Sequence, residues 1–94
     1  MKKLTMFYLE NCPYCRDARA ALDALRKLNP AYAAVEVEMI EESRQPEVAD
    51  QYDYYATPTL YVGEEKIYEA KLFDSYDVIE KNVQAALEAA CLEE

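Results

Sequence analysis

The sequence has no histidine, no tryptophan and a single glycine, and its 10 basic residues are outnumbered by 19 acidic ones, giving a net charge of −9. That balance argues against a nucleic-acid binder, which shows a basic face, and an acidic surface repels anions such as phosphates while aiding solubility. No apolar run approaches the ~20 residues of a membrane span. Three cysteines are too few, and too odd in number, for a secreted disulfide framework. Without histidine, a zinc site, which needs about four Cys, His or carboxylate ligands, has only Cys91 to add to the pair Cys12 and Cys15.

The sequence does contain enough hydrophobic residues, 52% over 94 positions, for one core and one domain spanning residues 1–94. Lys2 and Lys3 open the chain as a signal peptide would, but the apolar stretch is short and Glu10 closes it. It reads as a first strand, and the protein is expected in the cytoplasm as a monomer.

Residues 3–8 read as a strand and 13–28 as a helix, with Ala18, Leu22, Leu25 and Leu28 on one face. Asn29-Pro30 stops that helix, because the residue before proline is pushed out of the α region. Over 33–39, Val35, Val37 and Met39 alternate with Ala34, Glu36 and Glu38, the pattern of a half-buried strand. Pro46 suits a first helical position, giving a helix over 46–52. Strands over 58–62 and 66–70 flank Gly63-Glu64-Glu65, where the one glycine supplies a positive φ. A last helix over 75–91, capped by Asp74 or Ser75, presents Tyr76, Ile79, Val83, Ala86, Leu87 and Ala90. The order βαβαββα needs one parallel pair with a right-handed crossover and one antiparallel hairpin. A four-stranded mixed sheet with helices on both faces meets both needs.

Cys12-Pro13-Tyr14-Cys15 falls where the first strand gives way to the first helix. Helix N-termini carry partial positive charge and unpaired N–H groups that favour a thiolate. A free thiol with a pKa near ~8.5 can be lowered to ~3.5–7.5 in such a place. The thiolate is the attacking species in disulfide exchange. Pro13 costs nothing in the first turn and fixes φ, and residues three apart on a helix are neighbours. Cys12 is therefore the expected nucleophile and Cys15 the resolving thiol. Thr57-Pro58 opens the third strand, and from local sequence a trans bond is the simpler reading.

With these residues in hand, the chain resembles a glutaredoxin, or a glutaredoxin-like member of the thioredoxin superfamily. Cys-Pro-Tyr-Cys belongs to that branch, whereas thioredoxins usually carry Cys-Gly-Pro-Cys. The resemblance implies strand order 2-1-3-4 with the third strand antiparallel. It also implies a cis Pro58 beside the cysteines and a Thr57 backbone that pairs with substrate. Pro13, Tyr14, Thr57, Pro58 and Asp74 are the substrate-binding residues on this view.

The chain departs from the family where glutathione binds. Leu9-Glu10-Asn11 lacks the usual lysine, and Lys71-Leu72-Phe73-Asp74 keeps an acid but lacks the Gly-Gly pair. Leucine and phenylalanine obstruct the close backbone approach that glycine permits. Glu10 is expected to repel glutathione and oppose the thiolate, with Arg16 offsetting it in part. The expected substrates are protein or small-molecule disulfides, with a reductase or glutathione as electron source. No cofactor is expected, and glutathione serves at most as a weak co-substrate.

The rival reading is a non-catalytic module that binds a metal, an iron–sulfur cluster or a protein, which has no need of both cysteines at this spacing. Cys91 reads as a small semi-buried filler. Tyr14 either lines the substrate groove or is an exposed aromatic. Tyr52, Tyr54 and Tyr55 form either a wall for a protein substrate or, for Tyr52 at least, a cover on the core edge. Glu93-Glu94 reads as a frayed acidic end.

Overall fold

β1 (Leu4–Tyr8) is buried on both faces, with Leu4, Met6 and Phe7 inaccessible to solvent. A strand so enclosed needs neighbours on each side. It pairs in parallel with β2 (Val37–Glu41) and antiparallel with β3 (Thr59–Val62), and β3 pairs antiparallel with β4 (Glu65–Glu69). The sheet order is β2-β1-β3-β4, as the resemblance implied. The computed structural model describes residues 1–92, so the acidic end Glu93-Glu94 lies outside the described residues.

The period-two alternation of β1 sends its side chains to two cores. Leu4 and Met6 join Leu60, Val62 and Tyr68 under α1 (Pro13–Leu28) and α4 (Tyr76–Leu92). Phe7 faces the other way and packs with Ile40, Ala49 and Tyr61, covered by Tyr52 and Tyr54. The Phe7 ring lies 4.7 Å from that of Tyr52 and 4.8 Å from that of Tyr54, so both tyrosines cover the core edge. Tyr55 is exposed.

The helix faces differ from the expected stripes at their ends. In α1, Ala18, Ala21 and Leu22 are buried, while Leu28 is exposed at the last position. In α4 the buried residues are Ile79, Val83, Ala86, Leu87 and Ala90, and Tyr76 in the first turn is exposed. Ser75 caps α4, its hydroxyl accepting the Val78 N–H at 3.3 Å.

The strand expected over 33–39 lies at 37–41 because the chain first makes a further turn of helix, α2 (Pro30–Ala33). Asn29 ends α1 in an extended conformation and starts α2, its side-chain oxygen accepting the Ala31 N–H at 2.9 Å. The Arg26 guanidinium then donates to the carbonyls of Tyr32, Ala33 and Val35, holding Val35 buried ahead of the strand. Likewise α3 is one turn, Pro46–Ala49. Gly63 has φ 58° at the β3–β4 turn, as its position required.

Candidate active site

The loop from β1 to α1 brings Cys12 to the N-cap of α1, in extended conformation, with Pro13 as the first helical residue. The cap side chain is normally an oxygen that accepts a free amide of the first turn. Here it is a sulfur: Cys12 Sγ accepts the Cys15 N–H at 3.4 Å. Both cysteines are free thiols, Cys12 half-buried and Cys15 fully buried. Cys15 Sγ in turn accepts the Leu9 N–H at 3.4 Å, and the Cys12 thiol donates to the Thr57 carbonyl at 3.8 Å.

This arrangement drives the two ionisations apart. Burial alone pushes the Cys12 thiol up, but hydrogen bonds from the Cys15 thiol, the Cys15 N–H, the Thr57 side chain and the Tyr14 N–H outweigh it, and the net shift is down from 9.0. Burial pushes Cys15 up to about 11, against smaller opposing bonds from Thr57 and the Leu9 N–H. Donating its proton to Cys12 holds Cys15 protonated further. One sulfur is thus poised to attack while its neighbour keeps its proton.

The structure gathers Cys12, Pro13, Cys15, Thr57 and the buried Pro58 at one place, and the Thr57-Pro58 bond is cis. Tyr14 turns aside, its hydroxyl accepting the Phe73 N–H at 2.6 Å. The Asp74 carboxylate accepts the Tyr68 hydroxyl at 2.5 Å and the Lys71 N–H at 3.0 Å, closing the turn that follows β4. Phe73, inside that turn, has φ 71°. That is a left-handed conformation in which a bulky residue is an outlier and glycine is at ease.

Glu10 is bridged by Arg44 at 2.7 Å, and Arg16 lines one cleft together with Glu10 and Cys12. Beside it, Glu41 accepts the Ser43 N–H at 2.7 Å, the Ser43 hydroxyl at 2.6 Å and the Glu10 N–H at 3.3 Å. The Ser43 hydroxyl lowers the Glu41 pKa most, against burial. No sequence signal announces Glu41 or the Leu9 amide, whose roles depend on a strand neighbour and a backbone group.

Two clefts adjoin Cys12. One of about 170 Å³ is lined also by Pro13 and Arg16, and one of about 300 Å³ by Leu9, Glu41 and Ser43. Larger hollows of about 360 and 460 Å³ lie over the tyrosine face and include no cysteine. Of these four hollows, the two smaller ones adjoin Cys12. Among the described residues, no group of three or more His, Cys, Asp or Glu side chains is placed to hold a metal ion. None of the described helices is long and apolar enough to cross a membrane.

No curated protein matches the chain. Among solved structures, a thioredoxin variant from Halobacterium salinarum NRC-1 is similar, with TM-score 0.57 and 19% identity over 89% of this chain and 73% of that one. At that identity the likeness speaks for the fold alone. The family model described as Glutaredoxin matches residues 4–67. That stretch is more than half of the chain and takes in both cysteines and Thr57-Pro58, and the chain belongs to the glutaredoxin family.

Proposed function

We propose that the protein reduces protein or small-molecule disulfides by a dithiol mechanism. The carrying observation is the Cys12 sulfur at the α1 N-cap, accepting the Cys15 N–H while Cys15 lies buried beneath it. The Cys12 thiolate attacks one sulfur of a substrate disulfide, and the substrate S–S bond breaks as a mixed disulfide forms. Cys15 loses its proton and attacks Cys12. The unattacked substrate sulfur has left as a thiolate in the first step and taken up a proton; in the second the attacked sulfur leaves Cys12 as a thiolate and is protonated, and the protein is left with a Cys12–Cys15 disulfide. Two electrons have passed to the substrate, and a reductant restores the dithiol.

Pro13, Tyr14, Thr57, Pro58 and Asp74 shape the substrate site in this reading. Pro13, Thr57 and Pro58 frame the cysteines, and Tyr14 and Asp74 fix the neighbouring turn. Glutathione is a weak electron source, because Leu72 and Phe73 occupy the turn at which a glycine pair would admit it. A protein dithiol or a thioredoxin-reductase-like enzyme serves instead. A Cys-x-x-Cys pair with one further cysteine suits a reducing compartment better than a secreted disulfide framework, and we place the protein in the cytoplasm.

The test is reduction of a protein disulfide with glutathione/glutathione reductase and with thioredoxin reductase/NADPH, run side by side. Turnover is expected with the second system, lost in Cys12→Ser. Cys15→Ser is expected to accumulate a mixed disulfide visible by mass spectrometry. Full activity of Cys12→Ser overturns the proposal, and glutathione-driven rates equal to the other system overturn the choice of electron source.

A further inference from the structure

The turn after β4 carries two apolar side chains that the fold does not use. Leu72 is 80% and Phe73 90% exposed. Isolated apolar side chains on a surface need no explanation. These two are adjacent, and they are held beside the nucleophilic motif. The Phe73 N–H is fixed on the Tyr14 hydroxyl, within Cys12-Pro13-Tyr14-Cys15. On the other side, the Asp74 carboxylate is fixed by the Tyr68 hydroxyl and the Lys71 N–H. Between these anchors the backbone of Phe73 sits at φ 71°, where glycine is the undemanding choice, yet the residue is phenylalanine. Non-glycine residues kept in such conformations cluster at functional sites.

We infer that Leu72 and Phe73 form a pre-ordered docking ridge for a disulfide-bearing polypeptide with an apolar side chain next to its reacting cysteine. This rests on the disulfide-reductase reading. Cys12 fixes the occupant's chemistry, since only a disulfide gives that sulfur something to attack. Charge narrows it further: a cleft that adjoins Cys12 is lined by Glu41 and by Glu10, the latter bridged by Arg44, and the chain carries −9 overall. A segment with an apolar residue and a basic residue near its cysteine complements the exposed apolar pair and the net negative charge, whereas the anionic glutathione complements neither. Anchored at both ends, the ridge loses little freedom on binding.

The test is a single-turnover reaction of the reduced protein with two cyclic peptides sharing one disulfide ring and one arginine. One peptide has leucine beside the reacting cysteine, the other serine. Each turnover converts the Cys12–Cys15 dithiol to a disulfide and the peptide disulfide to a dithiol, so no further reductant is needed. Rates are read by acid quench and mass spectrometry, normalised to iodoacetamide alkylation of Cys12.

The leucine peptide is expected to react about tenfold faster, the scale of one apolar contact at a substrate pocket. Leu72→Ser with Phe73→Gly is expected to bring the ratio near one. Leu72→Ser alone, at an exposed position of ordinary backbone, is expected to lower it in part and serves where the double variant fails to fold. A wild-type ratio near one, or a ratio that both variants leave intact, overturns the ridge while sparing the reductase reading. No reaction with either peptide overturns that reading and the ridge with it. A dimer in sedimentation at assay concentration, abolished by Leu72→Ser, assigns the ridge to self-association and also overturns the inference.

Discussion

The Phe73 amide and the Tyr14 hydroxyl, 2.6 Å apart, join the turn after β4 to the first turn of α1 across 59 positions of sequence. Tyr14→Phe removes the acceptor and leaves the ring. An intramolecular hydrogen bond of this kind is worth about 0.5–1.5 kcal/mol, and the exposed Phe73 amide can turn to water instead. The expected loss of stability is therefore small, about 0.5 kcal/mol in urea melts. Hydrogen exchange at Phe73 is the sharper readout, and it is expected to quicken in the variant. Unchanged exchange removes the tie.

Phe73→Gly is expected to stabilise the protein. The φ of 71° costs a bulky residue about 1–2 kcal/mol, and the ring, 90% exposed, loses almost no burial when removed. Added freedom of glycine in the unfolded chain takes back about 0.5–1 kcal/mol. The net gain is about 0.5–1 kcal/mol, read as a higher urea midpoint at unchanged slope. A lower midpoint contradicts the left-handed backbone.

Alkylation of Cys12 by iodoacetamide reports its thiolate directly. The rate is expected to rise with pH through a midpoint below 9.0, because hydrogen bonds from Cys15, Thr57 and Tyr14 outweigh its burial. Cys15→Ala deletes the thiol donor but keeps the N–H, so the midpoint is expected to move up toward 9.0. A midpoint that stays put assigns the effect to the backbone N–H groups and Thr57.

Glu41 ties stability to acid. Its pKa lies below 4.5 in the folded protein, held there chiefly by the Ser43 hydroxyl against burial. A carboxyl lowered on folding contributes stability that is present above 4.5 and is lost as pH falls through the folded value. Glu41→Gln cannot ionise. It is expected to melt lower than wild type at neutral pH, with the gap narrowing below pH 4.5. A gap independent of pH shows that the charge of Glu41 does not matter.

Much of the fold is legible in the sequence because single residues set its boundaries. Pro13 starts α1, Asn29 ends it, Gly63 turns the hairpin and Ser75 opens α4. Short elements that depend on shared caps escape such reading. Asn29 serves two helices at once, and α2 pushes β2 toward Ile40 and Glu41. Ala21 is buried although a leucine-based stripe passes it over, while Leu28 points to solvent at the end of α1. At the site, the cysteines are legible because their spacing carries the chemistry. The fixing of Asp74 by Tyr68, of Glu10 by Arg44 and of Phe73 by Tyr14 needs the closed chain.

The split between the two thiols reaches the thermodynamics of electron transfer. While both cysteines are protonated, reducing the disulfide takes up two protons, and the midpoint potential falls by about 59 mV per pH unit. Above the Cys12 ionisation only Cys15 still binds a proton, so the slope halves to about 30 mV. It flattens only beyond about 11, where Cys15 gives up its own proton. Because Cys12 ionises early, the kink falls at a lower pH than an unperturbed dithiol would show, and over the interval above it the protein holds its driving force more steadily than such a dithiol would.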